Sequence, residues 1–234
     1  MAQESGEVWE KFAVALADMA RDLLAQDSVQ ATLDRIVEHA TVLINGCDEA
    51  GILTVRRGEV SALAATGDVV RMADRIQQDL REGPCFDAVT EREQLYAIED
   101  LRRPHPKWAR LAPELRKLGM GSMMGFLLFT EEDELGALNV YSHRPSMFDE
   151  SARTAGWVLA SHAAVALSAA RKHQQLGHAL ETRHEIGEAM GILMERHGLG
   201  EEEAFAVLKK ASQDHNIKLR EIARKVCETG ERPR

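Results

Sequence analysis

From Ser151 to His197 the chain runs without a proline, which constrains the fold more than any other stretch. Its residues Val158, Leu159, His162, Val165, Ala166, Ala169, Leu176, Leu180, Ile186, Met190 and Leu193 recur at mixed steps of three and four. That spacing marks one seam along one helix. At 1.5 Å per residue such a helix is about 70 Å long, too long for one compact core. Part of it is therefore expected to bury against a second chain, so a homodimer joined through this helix is the expectation.

With 234 residues, 44% of them hydrophobic, the chain has material for one domain of about 150 residues and a smaller appendage. Aromatic residues make up only 5%, which favours helices over an all-β sandwich. No apolar run approaches the roughly 20 residues of a membrane span, and the opening Met1-Ala2-Gln3-Glu4-Ser5 lacks the basic start of a signal peptide. A cytoplasmic protein without a membrane role is expected. Cys47, Cys85 and Cys227 lie far apart and form no CxxC pair, so they read as reduced thiols rather than as a zinc site or a disulfide framework.

Ahead of the long helix the periodicity changes several times. Residues 7–24 form a lead-in helix, and Ser28 caps a second helix over Val29–Leu43, stopped by Asn45-Gly46. Two strands follow, Glu49–Arg56 and Val60–Ala65, joined at Arg57-Gly58. A helical stretch over 68–90 is broken at Gly83-Pro84, and Pro104, Pro106 and Pro113 mark an irregular connection before a short helix at Glu114–Leu118. Strands Gly121–Thr130 and Gly136–Ser142 flank a charged turn at Glu131-Glu132-Asp133-Glu134. This order suits an α+β architecture, an antiparallel sheet with helices packed on it. After Gly198 and Gly200 end the long helix, Glu201–Asp214 and Lys218–Thr229 complete a three-helix unit.

The formal net charge of -9 opposes nucleic-acid binding, whose affinity comes mainly from neutralised phosphates. Its distribution does not: between Lys209 and Lys225 six basic residues face only two acidic ones, Asp214 and Glu221. The stretch from Glu181 to Glu228 around it carries Arg183, Ile186, Ala189, Gly191, Leu193 and Met194, then Glu203-Ala204-Phe205 with Leu208, then Ala211-Ser212-Gln213, Asn216, Lys218-Leu219 and Ala223. As a set in one register these resemble the ANTAR family, which implies binding of paired hairpin loops in nascent RNA and prevention of transcription termination. Upstream, Glu82-Gly83-Pro84-Cys85-Phe86-Asp87-Ala88, the Ile98-to-Leu101 step followed by Trp108, Leu118-Gly119-Met120-Gly121-Ser122, and Leu135 to Ser142 with Phe148 resemble a GAF sensor domain. The resemblance implies a regulatory fold and names no ligand. The expected division is a lead-in helix at 1–27, a GAF-like sensor at 28–170 and an ANTAR unit at 171–230.

On the RNA side, Lys209, Lys210, Lys218, Arg220, Arg224 and Lys225 are candidates for phosphate contacts, with a solvated charged face as the alternative for any single one. Ser212, Gln213 and Asn216 have donors and acceptors suited to unstacked loop bases, or to capping a helix end, and Arg183 and Arg196 on the first helix are further candidates. Ile186, Met190, Leu193, Phe205, Leu208, Leu219, Ile222 and Val226 are expected as core, which leaves no aromatic stacking platform. For the sensor pocket the candidates are Phe86, Trp108, Met123, Phe126 and Tyr141, with Met124 beside them, although most such residues are simply core. Arg102, Arg103, His105 and Lys107 would favour an anionic effector such as a nucleotide, although such charges more often simply form a solvated surface. No cofactor, metal-ligand spacing or catalytic motif is evident, so the expected activity is regulatory. Two competing readings are a ligand-binding sensor whose C-terminal helices recruit a protein, and a methionine sulfoxide reductase, for which Cys47 and Cys85 stand in unsuitable contexts.

Overall fold

The computed structural model of the chain describes residues 2–56, 59–83, 87, 95–130 and 134–233, and of residues 2–9, 55, 56, 134 and 135 the backbone alone. The expected Arg57-Gly58 turn, the Pro84 break with Cys85 and Phe86, and most of the Glu131–Glu134 turn lie outside the described residues. Two compact units divide the chain, Met1–Arg171 and Lys172–Arg234.

The first unit contains α1 (Ala2–Leu24), α2 (Val29–Leu43), β1 (Glu49–Arg56), β2 (Glu59–Ala65), α3 (Asp68–Leu80), β3 (Leu95–Ile98), α4 (Leu111–Lys117), β4 (Ser122–Phe129), β5 (Glu134–Ser142) and the start of α5 (Glu150–His197). The five strands form one sheet in the order β2-β1-β5-β4-β3, antiparallel at every pairing. Ser28 caps α2 as its sequence implies, accepting the Ala31 N–H at 3.1 Å. In β5, Gly136 has φ +142, and a Cβ there would stand 2.2 Å from the Leu53 carbonyl oxygen, so only glycine lets β5 lie against β1 at this point.

Two elements differ from expectation. The edge strand β3 is absent from the sequence reading: Leu95-Tyr96-Ala97-Ile98 is short and carries apolar or aromatic side chains on both faces, so it lacks the alternation that marks a half-exposed strand. Helix α4 starts at Leu111 rather than at Glu114. Pro113 therefore falls in the first turn, where its missing N–H has no intrahelical partner to lose.

Alternation along the strands sorts side chains into two layers. Ile52, Met124, Phe126, Leu128, Leu138 and Val140 pack against Met19 and Leu23 of α1, Leu33, Ile36 and Val37 of α2, and an alanine-rich face of α5. Tyr96, Ile98, Met123 and Tyr141 project to the opposite side, against Val70 and Ala73 of α3, Trp108, and Leu111 and Leu115 of α4. Helix α1 is tied to α2 by Asp22, whose carboxylate meets Arg35 and His39 at 2.7 Å each. No helix among the described residues is long and apolar enough to cross a membrane.

In the second unit the later part of α5 packs with α6 (Glu201–His215) and α7 (Leu219–Thr229). Ala189 and Leu193 meet Ala204, Leu208 and Ala211 of α6 and Ile222, Ala223 and Val226 of α7 in one small core. Within α5 the expected seam splits. Leu159, Ala166 and Leu193 are buried, whereas His162, Val165, Leu176 and Leu180 are exposed.

In the first unit, α5 approaches the sheet closely at Gly156, where an added Cβ would lie 2.2 Å from Cζ of Phe126. Gly156→Ala is expected to lower stability: the gain in helix propensity is about 1 kcal/mol, while forcing a methyl into a filled core costs about 1–3 kcal/mol. Chemical denaturation measures the loss, and adding Phe126→Leu should restore part of it. Equal or higher stability of the alanine variant would contradict this close packing.

Candidate sensor layer and nucleic-acid interface

The layer between the sheet and α3 holds polar groups where the sequence pointed only to apolar ones. On α3, Val70, Ala73, Asp74 and Gln77 share the inward face at three- and four-residue steps. Asp74 is 2% exposed, and among the described residues neither of its carboxylate oxygens has a hydrogen-bond partner. Gln77 is fully buried; its Nε2 donates to the Tyr141 hydroxyl at 3.3 Å, while its Oε1 has no partner among the described residues. Gly83 makes room for Gln77, whose Oε1 a Cβ there would meet at 2.5 Å, and Gly51 makes room for Val70 beside Asp74. Burial pushes the Asp74 carboxyl up to about 8, against the weaker pull of Arg71.

Beside this pair, Trp108 donates its indole N–H to Asp87 at 2.5 Å, and Lys107 pairs with the same carboxylate at 3.3 Å. Lys107 also lies 5.0 Å over the Tyr96 ring, and His105 stacks on Trp108 at 4.7 Å. Burial, and then Lys107, push the His105 imidazole below its ordinary range. Glu82, though partly desolvated, is held low by the N–H groups of Leu111 and Arg110 and by the Arg110 guanidinium, so it caps α4.

Of the expected pocket residues, Trp108, Met123 and Tyr141 reach this layer. Phe126 does not: it occupies an even position of β4, as Met124 does, and both face the α1, α2 and α5 side. Phe86 lies outside the described residues. The cations that would attract an anion are engaged already. Arg102 makes a two-pronged contact with Asp100 at 2.8 and 2.9 Å, Arg103 stands 3.6 Å from the same carboxylate, and these arginines hold the Asp100 carboxyl at about 2. A cleft of about 210 Å³ adjoins them between Leu101, His105, Pro113 and Arg116, less than the roughly 300 Å³ at which ligand cavities usually begin. Burial pushes the Cys47 thiol up to about 12, so it is a poor nucleophile.

In the second unit, Lys209, Lys210, Lys218, Arg220, Arg224 and Lys225 are all exposed, and among the described residues no carboxylate pairs with any of them. They do not form one stripe. Lys209 and Lys210 are adjacent in α6 and so point about 100° apart. Arg220 and Arg224, four apart, share one flank of α7; Lys218 and Lys225, seven apart, share the other.

Three polar candidates hold the fold itself. Ser212 donates its hydroxyl to the Ile217 carbonyl at 2.6 Å, closing the turn from α6 to α7. Asn216 takes the left-handed conformation at φ 52 that ends α6. Arg196 donates to the Gly230 carbonyl at 3.2 Å and so fastens the end of α7. Arg183 and Gln213 are exposed. Phe205 corrects the sequence reading: it is 40% exposed rather than core.

Sequence reasoning missed Asp74 and Gln77, although a signal was present. On an amphipathic helix over Asp68–Leu80 the two fall in register with Val70 and Ala73.

Residues 26–168 match the model of the GAF domain, and residues 174–226 that of the ANTAR domain. No curated protein matches the chain in sequence. Solved structures with a similar fold include the GAF domains of phosphoenolpyruvate-protein phosphotransferases from Acinetobacter (17% identity, TM-score 0.56, 70% of this chain and 98% of that one) and Coxiella burnetii (19%, 0.56, 70% and 96%). Another is the Stigmatella aurantiaca phytochrome photosensory core module, at 13% identity and TM-score 0.59, covering 87% of this chain. The chain spans 44% of that module's length. At such identities the likeness is one of fold.

Because the folded-state pKa of Asp74 is raised from 3.8, its neutral form is the one that folding favours. Stability is then full below about pH 4 and falls by about 1.4 kcal/mol per pH unit as the pH rises towards 8. Asp74→Asn removes that dependence. Its thermal midpoint should exceed that of the parent at pH 7.5, and the gap should close near pH 4. Parallel profiles at the two pH values would show that the carboxylate is not desolvated.

Proposed function

Since this chain belongs to the GAF family through residues 26–168 and carries an ANTAR domain at 174–226, we propose that it is a signal-responsive transcription antitermination regulator that binds hairpin loops of nascent RNA. A sensor-controlled antitermination regulator is the general class; recognition of hairpin loops is the specific reading. The observation that carries it is the set of six exposed cations on α6 and α7, unpaired by carboxylates among the described residues of a chain whose net charge is -9. Keeping a local positive surface on an acidic protein suits a polyanion, because each phosphate neutralised releases counterions.

The protein works as a homodimer in this reading. Val158, His162, Val165, Ala169, Leu176 and Leu180 follow steps of four, three, four, seven and four on α5, the spacing of a helix-pairing seam, and four of them are exposed. Two copies present two RNA surfaces, and the second loop then binds at high effective concentration. The effector is a small molecule held in the layer of Trp108, Met123 and Tyr141, where the Asp74 carboxyl and Gln77 Oε1, without partners among the described residues, favour a ligand with hydrogen-bond donors. The lead-in helix at 1–27, sensor at 28–170 and RNA module at 171–230 divide these tasks. Nascent transcripts place the work in the cytoplasm.

Lys218→Glu with Arg220→Glu reverses one charge on each flank of α7. Gel shifts with a paired-loop RNA should show affinity reduced tenfold or more, and a salt slope shallower by about 1 for each phosphate that is no longer neutralised. Light scattering should show an unchanged oligomer. Equal binding of paired-loop RNA and a scrambled hairpin by the parent protein would defeat the RNA reading and leave recruitment of a protein partner in its place.

A further inference from the structure

Phe205 stands on α6 immediately after Ala204, whose side chain lies in the core with Leu208 and Ala211. One residue further along a helix is about 100° further round, so the Phe205 ring leaves the core stripe and is 40% exposed. Neither helix propensity nor packing calls for an aromatic residue here. Phenylalanine is a weaker helix former than alanine or leucine, and an exposed ring forfeits much of its burial energy.

The residues sharing its face say what covers it. Steps of four and eight from Phe205 reach Lys209 and Gln213, both exposed, while steps of seven and eleven reach Ser212 and Asn216, which close the end of the helix. The other exposed side chains of α6 include Glu201, Glu202, Lys210 and Asp214, and Phe205 is the one large apolar residue exposed on this helix. A protein groove that received a helix face would meet several apolar anchors at such spacing, not one. A single aromatic ring followed one turn later by a cation, and after a second turn by an amide, has the composition of a platform for an unpaired base.

On the reading that the second unit binds RNA, we propose that Phe205 is the stacking platform for one unpaired loop base, with Lys209 on an adjoining phosphate and Gln213 on the edge of the base. The polarity of the helix orients the strand. Glu201 and Glu202, one turn before Phe205, repel phosphate, so the RNA backbone lies towards Lys209.

Four variants of the full chain test this against a paired-loop RNA carrying 2-aminopurine at successive loop positions. Phe205→Ala should weaken binding about tenfold or more, and Phe205→Leu, apolar but without a ring face, should weaken it nearly as much. Phe205→Tyr and Phe205→Trp should keep affinity within a few-fold of the parent. With parent protein, fluorescence should be quenched at one loop position, and Phe205→Leu should abolish that quenching. Thermal midpoints of all four should stay close to the parent's, since the ring is half exposed. Parent-like binding by Phe205→Leu, or quenching at no position of the parent complex, overturns the stacking proposal. If RNA is still released by the paired reversal at Lys218 and Arg220, the RNA reading survives that result. Failure of the parent to prefer paired-loop RNA overturns both.

Discussion

The approach of α5 to the sheet at Gly156 sets the geometry of the first unit. With no Cβ at that position, the Phe126 ring fills the space between helix and sheet, and the alanines at 152, 155, 160, 163 and 164 keep the rest of the contact close. Fixing Phe126 fixes the facing of β4. Once its even residues point to α5, its odd residues must point to α3 and α4, because the pleat alternates. The neighbouring strands follow through their hydrogen bonds to β4 and β5. The layer that collects Asp74, Gln77, Trp108 and Tyr141 is thus a consequence of packing on the opposite side of the sheet.

In that layer two physical costs compete. Burying a carboxyl without a partner is unfavourable, and an apolar residue at position 74 would avoid the cost. A ligand that donates hydrogen bonds to Asp74 or Gln77 would recover part of what folding loses. The cations at 102, 103 and 107 are less informative, since Asp100 and Asp87 already absorb their charge. Neutralised in this way, they lend little attraction to an anion.

Periodicity made much of this legible. The capped helix at Val29–Leu43, strands β1, β4 and β5, and the three C-terminal helices stand where apolar spacing and turn residues put them. Failures came where the pattern carries no phase. Leu95–Ile98 is apolar on both faces and gives no period. Grouping Phe126 with Met123 as pocket neighbours ignores that three residues along a strand change the face. Phe205 reads as core because phenylalanine usually is, although its neighbours Ala204 and Leu208 already define the buried stripe and place position 205 beside it. The sequence also presents six cations as one run, but helix geometry divides them between flanks.

That division bears on how an acidic chain holds RNA. A contiguous cationic stripe attracts any polyanion, and its affinity carries no information about sequence. Charges spread over different flanks of α6 and α7 cannot all meet one regular backbone, so duplex RNA engages only some of them. A loop, whose backbone reverses direction within a few nucleotides, can present phosphates to more than one flank while splaying unpaired bases out towards the protein. The net charge of -9 disfavours every RNA that fails to make those contacts. On the proposed reading, repulsion from the rest of the chain, together with split attraction on two short helices, would favour a compact folded loop over an extended strand.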